Sequence, residues 1–466
     1  MSDTDARLPL LGEFDVAVIG GGPAGLAAAA SAAAHGARTV LVERYGFLGG
    51  MGSAGGVTNF AGLYARHHGA TLQVVHGVVD ELLERIAALG GLNDPQDGMG
   101  GRIRVRSYDI AALKCAADAL LLARGVTLLF HALVCAVVRE GEAIDALVIE
   151  SKSGRQRLRA RTFIDASGDG DVAALAGVPF ETGDGQGSGL YPSTMFLARG
   201  VDAPRALAAV GEFGAVNRLM AAHRGRYRFA RDGAILRPQK DASEWRANVT
   251  QLAGPDGHAL DALDVWQLSA GEVEGRRQIV EYLRFLREQV PGFEQARIGD
   301  LPAQLGVRET RRVATQYRLS GEDILGGACF DDSIGINGWP MELHEAGGIR
   351  WVFPHDAEQS HNQLPWRMLV PEGSGGACVP RNLLVAGRCA GMTHEGQSAA
   401  RVSGACFVMG QAAGTAAALA LRQGLASVAD VDVAALQAAL RADGAWLEVP
   451  SLGPAQDATA RRLPDG

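Results

Sequence analysis

Gly20-Gly21-Gly22-Pro23-Ala24-Gly25 has the residue types and spacing to hold a diphosphate. The string follows the apolar run 15–19 and opens an Ala-rich segment, the context that gives G-x-G-x-x-G its meaning. Gly20 permits a tight turn, Gly22 lets the backbone approach a pyrophosphate, and Gly25 lets the following helix pack on the strand. Pro23 and Ala24 fall in the first helical turn, where free N–H groups and the helix dipole favour phosphate charge. Glu43 ends the next apolar run, 18 residues past Gly25. A carboxylate there can accept hydrogen bonds from a ribose diol and repels a 2′-phosphate. Any one of these features also suits an ordinary β-α turn with a surface glutamate. Four of them in order point to a dinucleotide.

Three further residues could move protons or hold charge. His344, in Glu342-Leu343-His344, is a candidate acid/base because imidazole titrates near neutral pH. Arg367, fixed by its neighbours Pro365 and Trp366, could clamp a carboxylate bidentately or stabilise a reduced cofactor. His394 is a candidate second proton carrier or cofactor contact. Plainer readings stand beside each: a hydrogen-bonded structural histidine for both imidazoles, and an arginine paired with an acid from the middle of the chain. Arg308, Glu309, Arg311 and Arg312 read as a structural ion-pair network. The six cysteines form no C-x-x-C pair and show no zinc spacing, and Cys389 reads as a buried structural thiol.

The elements that must position these groups are partly legible. Residues 15–19 and 39–42 are buried strands flanking a helix over 24–35 that Gly36 ends, a β-α-β unit of about thirty residues. A second helix is expected over 110–124, with strands over 126–130, 134–138 and 146–150. The strand 162–165 enters a second glycine turn, Ser167-Gly168-Asp169-Gly170. From about 183 to 307 prolines, tryptophans and polar residues mix. There Ser269 and Glu272 read as a capping box for a helix whose apolar face is Val273, Val280, Leu283, Leu286 and Val290. Near 382 the first texture returns, with the strand 383–386 and an apolar helix from about Ser403. That helix is rich in Gly and Ala and carries Gln411, which predicts a buried interior helix rather than a membrane span.

The expected organisation is therefore an α/β, Rossmann-like dinucleotide-binding domain built from both ends of the chain, with an inserted α+β substrate domain. The boundaries are 12–185 and 371–425 for the two parts of the first domain, 186–370 for the insertion, and 426–466 for a C-terminal helix and tail. The chain has 466 residues, 47% apolar and 21% charged, with a net charge of −8 and no long charged block. Nothing in that balance points to nucleic acid or a membrane surface as partner. The N-terminus has no apolar signal-like core, so a cytoplasmic protein with reduced thiols is expected.

Four stretches carry a resemblance to the FAD-dependent oxidoreductases of the glutathione-reductase-like flavoprotein superfamily. They are 20–25 with Glu43-Arg44, Leu48-Gly49-Gly50-Met51-Gly52, the segment 164–171, and Val385-Ala386-Gly387-Arg388-Cys389 with Thr393-His394-Glu395. The resemblance implies a non-covalent FAD. It places Gly49, Gly50 and Met51 beside the cofactor, and Ala166, Ser167, Gly168 and Asp169 near the adenosine and pyrophosphate. It turns the backbone of Val134 toward the adenine and brings Gly387 and Arg388 to the flavin or its ribityl chain. The helix after Arg401 and Val402 would aim its N-terminus at the pyrimidine edge. Trp339-Pro340-Met341-Glu342-Leu343-His344 departs from the family's commoner Tyr-Pro-Ile-Asp-Ile-His, and Leu364-Pro365-Trp366-Arg367 from Ile-Pro-Tyr-Arg. Both departures fall where a substrate would touch. No second G-x-G-x-x-G follows a later strand, which argues against a separate NAD(P)H domain, and 49–56 holds no His, Cys or Tyr for covalent flavin attachment.

The expected activity is hydride transfer between flavin N5 and a small organic substrate, with a separate electron acceptor or donor. A flavin monooxygenase and a non-catalytic flavin-binding scaffold are the competing readings. A homo-oligomer stays open.

Overall fold

The computed structural model describes residues 7–211, 213–373 and 378–450. β1 (Leu10–Ile19), α1 (Pro23–Ala34) and β2 (Thr39–Val42) form the β-α-β unit. The sheet runs Thr127–Leu129, β2, β1, then Gly154–Asp165, all parallel. Strand Gly154–Asp165 is long enough for two partners along its far edge. Its first half pairs antiparallel with Ala143–Ser151, which in turn pairs with Leu133–Glu140. Its last residues, Phe163 to Asp165, pair in parallel with Leu383–Val385. The central sheet is thus completed by a strand from late in the chain. β2, the end of β1 and the end of Gly154–Asp165 are buried on both faces, which is why they stand out in the sequence as unbroken apolar runs, while the edge strand Thr127–Leu129 is only partly covered.

α1 crosses the helix Ser403–Gln423 at very close range. A Cβ on Gly410 would lie 2.0 Å from the Ala24 carbonyl oxygen, and one on Gly414 would lie 2.1 Å from that of Ala28. The small residues of both helices therefore serve backbone-to-backbone packing. The second helix is long and apolar enough to cross a bilayer, yet 89% of its most apolar window is buried inside the protein. Its first turn packs on 61–62: the Gly404 N–H donates to the Ala61 carbonyl at 2.9 Å, and Ser403 Oγ accepts from the Ala61 N–H at 3.0 Å.

A second hydrophobic cluster lies within 196–296, built on Phe196, Trp245, Ile279, Tyr282 and Phe285. Its antiparallel sheet has the order Ile235–Pro238, Glu244–Asn248, Phe196–Arg199, Arg297–Asp300. Ile334, Met341, Leu343 and Trp366, by contrast, pack into the larger core with the parallel sheet. The chain between 186 and 370 is therefore shared between two cores.

The long helix here differs from its sequence reading. It spans Val265–Gln289 and is capped by Asp264, whose carboxylate accepts from the N–H groups of Trp266 and Gln267. Ser269 lies inside it and donates back to the Val265 carbonyl. The buried positions are Gly271, Gly275, Ile279, Tyr282, Phe285 and Leu286, while Val273 and Val280 face solvent. Two small glycines on the packed face, which apolar periodicity does not count, displaced the expected stripe. The C-terminal region supplies helix Val433–Ala442. The tail from 451, and the first six residues read for a signal, lie outside the described residues.

Candidate active site

One cavity of about 290 Å³ runs from the glycine turn of β1 to the face of the second sheet. At its first end β1 stops at Ile19, and Gly20, at φ 99°, donates to the Val42 carbonyl at 2.8 Å. A Cβ on Gly25 would lie 1.7 Å from the Gly20 oxygen, so this glycine is fixed by helix-on-strand contact and is not on the cavity wall. Gly22 is different. Only the Gly50 Cα, at 3.7 Å, comes near its missing Cβ, so a side chain there would project into the cleft. α1 begins at Pro23 with no side-chain cap, leaving its first N–H groups free for an anion.

Glu43 is buried at the floor of this cleft. One carboxylate oxygen accepts from the Gly21 N–H at 2.7 Å and the other from the Tyr45 N–H at 2.9 Å. It therefore ties the two loops together and keeps lone pairs for a sugar hydroxyl. Gly49 donates to the Gly21 carbonyl, which brings 49–52 over the turn. Arg44, Gly49, Gly50, Met51, Val134, Ala166, Ser167, Gly168, Gly387 and Arg388 all line the same cavity. Asp169 does not; it underpins Arg388 at 2.7 Å and accepts from Thr310 at 2.9 Å. Burial alone would push its carboxyl up, but the charges of Arg388 and Arg44 outweigh this and hold it low. Behind the second glycine turn, burial pushes Asp165 up to about 6, against hydrogen bonds from Ser167 and the Ala173 N–H.

The far end is built on strand Met341–Glu345. Alternation sends Met341 and Leu343 into the core and leaves Glu342 and His344 together on the cavity. His344 Nε2 lies 3.1 Å from one Glu342 carboxylate oxygen, and the Trp339 indole N–H donates to the other at 3.1 Å. Arg401 donates to the Glu342 carbonyl at 3.3 Å. Burial favours the neutral acid, yet the His344 hydrogen bond and the charges of Arg401 and Arg308 hold Glu342 down at about 2. His344 itself is held well below the usual imidazole range, first by burial and then by the charge of Arg308. The pair at neutral pH is a carboxylate and a neutral imidazole. Val402 lines the cavity beside Arg401 and precedes the uncapped N-terminus of Ser403–Gln423.

Two sequence candidates sit elsewhere. Arg367 is half-exposed and off the cavity, with its Nε 2.9 Å from Asp332. His394 is off the cavity too, paired with Glu309 at 2.9 Å, and Glu309 also pairs with Arg312. The plainer readings of both match where they lie. Arg308 departs from the expected network: it is on the cavity and donates to the Tyr191 carbonyl at 2.6 Å and to Ser193 Oγ at 2.8 Å, with no carboxylate. Burial, then the charge of Arg401, pushes it down to about 9. Arg237 and Arg246 also line the cavity and were not picked out in the sequence. Their only signal is alternation in the two strands 235–238 and 244–248, which does not say which face meets the cofactor domain.

Fold and cleft together define a dinucleotide-binding α/β protein. The chain belongs to the FAD dependent oxidoreductase family, whose model matches residues 15–440. No similar sequence was found among proteins of curated function. Among solved structures, a geranylgeranyl bacteriochlorophyll reductase-like protein from Thermoplasma acidophilum is similar at 11% identity and TM-score 0.44, covering 96% of this chain and 95% of its own. The p-nitrophenol 4-monooxygenase of Pseudomonas putida is similar at 15% identity and TM-score 0.45, covering 97% and 92%. The flavin-dependent brominase Bmp2 is similar at 14% identity and TM-score 0.46, covering 92% and 83%.

The protein is an FAD-dependent oxidoreductase with a Rossmann-like fold. The residues present fit FAD. The space at Gly22 that a Cβ would fill and the uncapped N–H groups of α1 suit a diphosphate, and the Glu43 carboxylate suits a ribose.

Proposed function

We propose that the enzyme oxidises a small organic molecule held against the Glu342–His344 face, with the hydride leaving for a non-covalently bound flavin. Bound FAD supplies the hydride acceptor at N5. One observation carries the reading: a buried imidazole and a carboxylate, hydrogen-bonded to each other, face the cleft that would hold the cofactor. With its Nε2 proton held by Glu342, His344 keeps Nδ1 as the acceptor. It takes the proton of a substrate O–H or N–H as the hydride departs, and the Glu342 charge stabilises the resulting imidazolium. Arg401 and Trp339 hold Glu342 in place, and the apolar wall of Trp339 and Trp351 excludes water.

Gly20, Gly22, Pro23 and Ala24 would hold the diphosphate, and Glu43 a ribose. The Arg388 side and the N-terminus after Val402 would meet the flavin end. The wider assignment to the glutathione-reductase-like superfamily rests on the first glycine turn, Glu43 and the second turn at 166–169. Six free thiols among the described residues fit a reducing, cytosolic compartment.

The test is anaerobic photoreduction of the holoenzyme, then turnover of a panel of small alcohols, amines and hydroxy acids with an artificial electron acceptor. Substrate-dependent reduction supports the reading. Product carrying an oxygen atom from O₂ would make the protein a monooxygenase instead, and a flavin inert to every partner would make it a scaffold.

A further inference from the structure

Two arginines on the cavity, Arg237 and Arg246, combine the lack of an ion pair with buried N–H groups that have no partner among the described residues. Strands Ile235–Pro238 and Glu244–Asn248 pair with Arg237 directly opposite Arg246 and Ile235 opposite Asn248. Alternation sends Leu236, Trp245 and Ala247 into the second core and leaves those four on the cavity wall. Like charges directly opposite on a sheet repel, and a guanidinium taken out of water without a partner loses solvation. Arg246 is 7% exposed. Its Nε and Nη1, and Nη1 of Arg237, are buried with no hydrogen-bond partner among the described residues. Arg308 is satisfied by Tyr191 and Ser193, and Arg231 by the Gly233 and Asn248 carbonyls, while Arg401, whose Nε also lacks a partner, is paired with Glu342 at 3.8 Å. The carboxylate nearest in role, Glu342, is already engaged by His344 and Trp339.

We propose that Arg237 and Arg246 seat the carboxylate of an organic-acid substrate, whose apolar body lies against Ile235, Met195 and the Trp339–Trp351 pair. This deepens the oxidoreductase reading of the same cavity and rests on it. Two planar guanidinium forks match a carboxylate in geometry as well as charge. They also stand on the second sheet, whereas the diphosphate cradle lies at the start of α1. The acid would supply the hydrogen-bonded carboxylate that neither guanidinium has among the described residues.

The test is calorimetric titration of the FAD-loaded holoenzyme with benzoate and hexanoate, each against its own amide. Both acids are expected to bind more tightly than their amides. Arg246→Met and, separately, Arg237→Gln should weaken acid binding on the order of 30-fold. Amide binding and FAD content per chain should stay unchanged. Arg246→Lys keeps the buried charge but loses the fork, so it serves if the methionine variant does not fold, with a loss of roughly tenfold expected. Acids that bind no better than amides, or folded variants that bind acids as the parent does, overturn the proposal. Loss of FAD from the variants also overturns it, because the arginines would then serve the cofactor. A protein that takes up no FAD sinks the oxidoreductase reading, while heats of acid binding still report on the arginine pair.

Discussion

Glu342 Oε1 lies 3.1 Å from His344 Nε2, two residues along one strand, so both side chains are on the same face and both reach the cavity. Glu342 fixes which imidazole nitrogen carries the proton. It also opposes the burial and the Arg308 charge that hold His344 low.

His344 acts as a base only while neutral, so the acid limb of its kcat/KM profile should lie below the ordinary imidazole range. Glu342→Gln removes an influence that raises the His344 pKa, so the limb should move to still lower pH. Glu342 is a positioning residue, and this shift is a readout that a merely structural role would not give. His344→Ala should lower kcat by roughly 100-fold, with FAD content unchanged. A variant that keeps full turnover would remove His344 from the mechanism.

Stability should carry the same signature. His344 has a folded pKa below its unfolded one, so the unfolded chain binds the proton first. Its contribution is present above pH 6.5, the ordinary value, and is lost as pH falls below it. Glu342 acts in the same direction lower down, between its ordinary 4.5 and about 2. Melting temperatures from pH 7.5 to 5 should fall less for His344→Gln than for the parent; parallel curves would refute the assignment.

Gly25→Ala should damage the fold itself, since the new Cβ would lie 1.7 Å from the Gly20 oxygen. Overpacking of this kind costs roughly 1–3 kcal/mol or more. Chemical denaturation should show that loss in apoprotein, without reference to cofactor.

Arg367→Gln should cost about 0–1 kcal/mol, because its pair with Asp332 is half in solvent. FAD content and turnover should match the parent. A loss of turnover greater than tenfold would return Arg367 to the active site.

What the sequence makes legible follows from how local each signal is. The glycine turn, Glu43 and the parallel strands are encoded within short segments, each apolar run being a strand buried on both faces. Glu342 and His344 are visible because they are two residues apart. Arg367 and His394 are not separable from catalytic groups without their partners, and Asp332 and Glu309 lie 35 and 85 residues away. Arg237 and Arg246 share a face only once their two strands pair. The packed face of the helix 265–289 is not legible from apolar spacing because glycines, Gly271 and Gly275, make part of it.

The cofactor cleft depends most directly on Gly22. Its substitution by Val puts a side chain into the diphosphate cleft, where only Gly50 approaches. The measurement is FAD released per mole of purified protein, beside a circular dichroism spectrum. The parent should release close to one FAD per chain and Gly22→Val almost none, with unchanged secondary structure. Equal FAD in both proteins, or a parent that stays colourless when FAD is added, would contradict the cofactor site described here.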